Sequence, residues 1–107
     1  AWTPSGDALA STLGSGLHQW SLASAPASPR VLSAPPAEAV DRSPAFRPQH
    51  PGQLLFHRHN PREGDAIFLR DAASGEARPL LSGLARYRGH AWAPGGSRFY
   101  FAAEYQG

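Results

Sequence analysis

The chain has 107 residues, with ten basic and eight acidic side chains, 11 Gly, 11 Pro, no Cys and no Met. The absence of Cys excludes disulfide frameworks, cysteine-ligated zinc and thiol catalysis. The net charge of +2 comes from arginines scattered between Arg30 and Arg98, without the basic stripe of a nucleic-acid binder. Pro and Gly at this density argue against long helices, since Pro costs about 3 kcal/mol inside a helix and Gly about 1 kcal/mol, so short strands joined by turns are expected.

Taken in chain order, Trp2-Thr3-Pro4-Ser5-Gly6-Asp7 is an aromatic residue followed by a Pro-Gly turn, and residues 8–11 read as the strand running back from it. Gly14-Ser15-Gly16 is a loop and residues 17–22 a second strand. A turn over residues 23–29 leads to a short third strand at 30–32. The stretch 23–45 holds Pro26, Pro29, Pro35, Pro36 and Pro44 and reads as mostly loop, with at most one helical turn over 34–39. The aromatic-Pro pattern then returns at Phe46-Arg47-Pro48, with a longer turn through Gly52 into an apolar strand that ends near Phe56. A loop at 60–64, a strand at 66–70, a turn at 71–76, a strand at 78–81 and a connection at 85–90 follow. Trp92-Ala93-Pro94-Gly95-Gly96 is a third copy, running into Phe99-Tyr100-Phe101.

Leu9, Leu54 and Phe99 fall at a constant period of about 45 residues, as do Ser11, Phe56 and Phe101. The pattern has a mechanism. The aromatic ends one strand and packs in the core, Pro sets φ for a tight turn, Gly supplies positive φ, and the next strand returns as a hairpin. Trp2, Pro4 and Gly6, then Phe46, Pro48 and Gly52, then Trp92, Pro94 and Gly96 are thus equivalent structural residues. Four short strands per repeat is the unit of a β-propeller blade.

The aromatic-x-Pro turn, the apolar strand behind it, and Phe68-Leu69-Arg70-Asp71 leading into Ser74-Gly75-Glu76 resemble the WD-repeat-like blades of TolB-type propellers. The first and third copies carry Ser5 and Gly95 where the family usually has Asp before the turn Gly. The resemblance implies an all-β fold of four-stranded antiparallel blades: a repeat over 1–45, a second over 46–90 and part of a third over 91–107. It also implies a periplasmic or otherwise exported bacterial setting. Similar blades form the substrate-gating propellers of prolyl-oligopeptidase-type peptidases and the sensor portions of membrane-bound transcriptional regulators. Two blades and a hairpin cannot close a ring of 4–8 blades, so the chain is expected to be a fragment or a piece that assembles with copies of itself.

His57 and His59 are two residues apart, which on a strand aims both at one face. Two such imidazoles can chelate Zn, Cu or Ni, with a third ligand from His18, His50 or His90. The plainer expectation is an exposed pair at a strand end, with no metal and no cofactor. Arg58, Arg62, Glu63 and Asp65 read as a solvated hairpin tip. No G-x-S-x-G elbow is present, and without Lys no phosphate-binding P-loop is possible. No catalytic residue is therefore assigned, and the expected role is non-catalytic recognition of a protein or ligand, or completion by other blades.

Overall fold

The computed structural model describes residues 1–22 and 29–105. These form eight strands and no helix, so no helix among them is long and apolar enough to cross a membrane. Strands β1 (Ala8–Leu13), β2 (Gly16–Ser21) and β3 (Arg30–Val31) make one antiparallel sheet in that order. A second antiparallel sheet runs β4 (Val40–Phe46), β5 (Gln53–Asn60), β6 (Gly64–Asp71), β7 (Ala77–Trp92) and β8 (Phe99–Tyr105). The all-β expectation holds. The turn expected over 23–29 lies almost wholly outside the described residues, as does the very end of the third repeat.

Strand count per sheet departs from four. The first sheet has three strands because β4 pairs with β5 and not with β3, and the second has five because β7 runs unbroken through 16 residues, where a strand, a connection and another strand were expected. Its first half pairs with β6 and its second half with β8. Between them the chain bends without leaving the ladder, using positive φ at Gly83, Arg86 and Gly89 and a register shift between Ala85 and Gly89. Pro79 is tolerated because its half of β7 has no β8 neighbour. Pro44 sits in the β4–β5 irregularity between Arg42 and Ala45, and β4 thereby occupies part of the expected loop.

The three aromatic-Pro turns share one backbone wiring. The residue after the aromatic donates its N–H across the turn, Thr3 to Ala8 at 2.9 Å, Arg47 to Gln53 at 3.0 Å and Ala93 to Arg98 at 2.9 Å. Its carbonyl accepts from the residue three further on, Gly6 at 2.9 Å, His50 at 3.2 Å and Gly96 at 2.8 Å. Gly6 and Gly96 both take φ of 73°. In the middle copy the longer turn moves positive φ to Gln49, at 63°, and Gly52 does not supply it. Gly96 has a second constraint: a Cβ there would overlap the Pro48 carbonyl. The second and third turns therefore lie against each other, and Arg47 Nε donates to the Gly96 carbonyl at 2.5 Å.

The strand β5 is the centre of the stack. Its even-numbered residues Leu54 and Phe56 join Ala10 and Leu17 of the first sheet, and Leu32 just after β3, in one core, with Phe46 and Phe68 against it. Its odd-numbered Leu55 joins Ile67, Leu69 and Leu84 in a second core, covered by Trp92, Phe99 and Phe101. Trp92 is fixed further by its indole N–H, which donates to the Ala45 carbonyl at 2.9 Å. Trp2 breaks the equivalence. It is 56% exposed, bridging only to Leu9, because no layer covers that outer face of the first sheet among the described residues.

Candidate functional site

Both cores end in a polar group at the same end of β5. On the first face Arg58 follows Leu54 and Phe56, and it pairs across the ladder with Asp41 of β4. The Arg58 guanidinium grips the carboxylate with two hydrogen bonds, Nε to Oδ1 at 2.7 Å and Nη2 to Oδ2 at 3.0 Å. Ser33 Oγ donates to Oδ2 at 2.6 Å and itself accepts from the Leu17 N–H at 3.0 Å. Asp41 is fully buried, and the guanidinium lies 4.3 Å over the Phe68 ring. Arg58 is therefore no hairpin-tip residue. A cleft of about 270 Å³, bordered by Arg58, Glu63, Phe68 and Ser82, opens on this side.

On the second face Leu55, His57 and His59 of β5 stand opposite Leu69, Ile67 and Asp65 of β6. His57 Nε2 lies 2.9 Å and His59 Nδ1 2.7 Å from the same oxygen, Asp65 Oδ1. An ionised carboxylate only accepts hydrogen bonds, so each imidazole donates through the nitrogen that faces it. Asp65 belongs to β6 and is nearly buried, contrary to its expected place in a solvated loop, and His57 is buried where an exposed pair was expected. The cause is Tyr87 of β7, whose ring stacks on His57 with centroids 3.9 Å apart. The Tyr87 hydroxyl donates to His90 Nδ1, and His90 Nε2 donates to the Ser43 carbonyl at 2.8 Å. His90 is thereby a prop for Tyr87 and does not reach Asp65. His18 lies beside Trp20 in the first sheet, and His50 closes the middle turn through its backbone.

The electrostatics follow from this packing. Burial holds the His57 imidazole below its usual range, against the pull of Asp65, and the charge of Arg42 across the ladder adds to that lowering. Burial does the same to His90 and pushes the Tyr87 phenol upward. For Asp65 burial works to raise the carboxyl, but the hydrogen bonds from His57 and His59 outweigh it and hold it below the usual carboxylate range.

At the opposite end of the first face, Arg70 is buried and its Nε has no hydrogen-bond partner among the described residues. It borders a cleft of about 220 Å³ with Arg30 and Gln19. Burial, with the nearby Arg30 charge, lowers its pKa. Asp71 caps the next turn, accepting from the Ala73 N–H at 3.0 Å.

Compared with protein-family models, with curated proteins and with solved structures, the chain matches none. Sequence alternation alone places His57 and His59 on one face. Asp65 needed a further step. The Asn60↔Gly64 pair that closes the hairpin puts residue 65 opposite residue 59. That register is readable from the loop length once Asn60-Pro61-Arg62-Glu63-Gly64 is taken as the turn.

Proposed function

We propose that this chain is a stretch of a β-propeller that serves recognition, holding a protein or ligand partner without catalysing a reaction. The observation that supports it best is one turn built three times with the same two backbone hydrogen bonds, leading in turn into β1, β5 and β8. An ordinary sandwich has no reason to repeat one turn at a fixed period. Trp2, Leu13 and Val31 share the uncovered outer side of the first sheet, and all three are exposed. In the propeller reading, a neighbouring blade packs there, supplied by further sequence or by another copy of the chain. The resemblance to TolB-type blades supports an exported bacterial setting.

The test is a structure of the full reading frame with a measurement of solution mass. The expected result is a closed ring of blades in which Trp2, Phe46 and Trp92 take equivalent radial positions. A closed sandwich with the outer face of the first sheet in water overturns the reading. Turnover of a peptide, ester or phosphate substrate that is lost on substituting a residue of this chain overturns its non-catalytic part.

A further inference from the structure

We infer that His57, His59 and Asp65 bind a divalent first-row transition metal of the zinc, nickel or copper class through two imidazoles and one carboxylate. One ligand atom of each residue lies within 4.8 Å of the other two. The donor set suits these metals, since imidazole nitrogen is their common ligand and carboxylate oxygen completes it.

Convergence is the decisive feature. A carboxylate offers two oxygens and about four lone-pair directions. Two rings that merely satisfied Asp65 could take one oxygen each. Both instead aim at Oδ1, so three donor atoms crowd around one point. Tetrahedral zinc, with bonds of about 2.0–2.2 Å, places its ligand atoms about 3.3 Å apart. The separations of 2.9 and 2.7 Å from Oδ1 need to open by a few tenths of an ångström, and the two ring nitrogens, within 4.8 Å of each other, settle to the same spacing by rotation of the half-exposed His59 ring.

The frame is rigid and already assembled. The ladder between β5 and β6 is continuous from Gln53↔Asp71 to Asn60↔Gly64, without a bulge. Tyr87 clamps the His57 ring, and His90 and the Ser43 carbonyl hold Tyr87 in turn. Such outer support commonly sets ring orientation at metal sites. On metal binding each ring moves its proton to its other nitrogen, so both stay neutral and Asp65 stays ionised. The side chain of His59 is 42% exposed, which gives the ion an approach from solvent and leaves a coordination position for water. The inference is independent of the propeller reading, since it rests on one hairpin and the strand that covers it.

The probes are Zn²⁺ and Ni²⁺ titrated calorimetrically into the intact chain at pH 7, with Co²⁺ absorption as a report on the ligands. One equivalent should bind with low-micromolar or tighter affinity and raise the melting temperature. Outer partners of metal ligands are worth roughly 10–100-fold in affinity, so losing a ligand should cost at least ~100-fold. That loss is expected for His59→Gln and for Asp65→Asn, with His18→Gln and His50→Gln unchanged. His59→Gln alters a partly exposed side chain, and tryptophan fluorescence checks that it folds. If Asp65→Asn does not fold, the His59→Gln result decides. Failure of the parent chain to bind either ion, or undiminished binding by folded His59→Gln, overturns the inference.

Discussion

Asp41 and Asp65 flank the same strand on opposite faces, and the fold treats them differently. Asp41 is fully buried, held by both arms of the Arg58 fork and by the Ser33 hydroxyl. Its backbone is tied as well, donating to the Ser15 carbonyl at 2.8 Å and accepting from Thr12 Oγ1 at 2.9 Å. A full opposing charge and a closed set of hydrogen bonds make this a joint between the two sheets. Asp65 has two imidazoles on one oxygen and, among the described residues, no guanidinium partner. One carboxylate is spent on holding the fold together, and the other keeps the capacity to bind something else.

The largest expected effect falls on the joint. Asp41→Ala leaves Arg58 without its partner in a largely buried site, and breaking such a pair typically costs about 3–5 kcal/mol. Urea denaturation measures it, and a loss under about 1 kcal/mol would erase the contrast between the two carboxylates.

Acid should act next, through the other face. His57 and His90 are held below the ordinary value of 6.5 by burial. Between that value and their folded ones the unfolded chain binds more protons, so stability rises with pH across the window and falls on acidification below 6.5. The depressed Asp65 adds stability that is present above its ordinary value of 3.8 and lost as pH falls through its folded value. Denaturation midpoints should therefore drop between pH 7 and pH 5, with a shallower drop in His57→Gln. An unchanged slope in that variant would detach His57 from the effect.

The smallest change is expected from Asp65→Asn at neutral pH without metal. The amide oxygen still accepts from both rings, so the loss should stay within about 1 kcal/mol in the same urea assay. A loss matching that of Asp41→Ala would make Asp65 a second joint.

Much of the hairpin geometry was legible in the chain. Gly6 and Gly96 sit where the turns need positive φ, and His57 and His59 share a face by simple alternation. The burial of His57 was not legible, because its cover is Tyr87, thirty residues on in sequence and brought back by the bends at Gly83 and Gly89. Trp2 fails its expected packing for a related reason. Its motif matches those of Phe46 and Trp92, but packing depends on which layer lies against it, and among the described residues none does.

By itself the sequence determined the all-β class, the thrice-written turn and the pairing of two histidines on one side of a strand. These are local properties, set by φ preferences and by the two-residue alternation of strands. Only the tertiary structure decided that β7 would cross from β6 to β8 as one strand, that Arg58 would close on Asp41, and that Asp65 would collect both imidazoles. Those outcomes depend on register and on which sheet covers which face, which pair residues far apart in the chain.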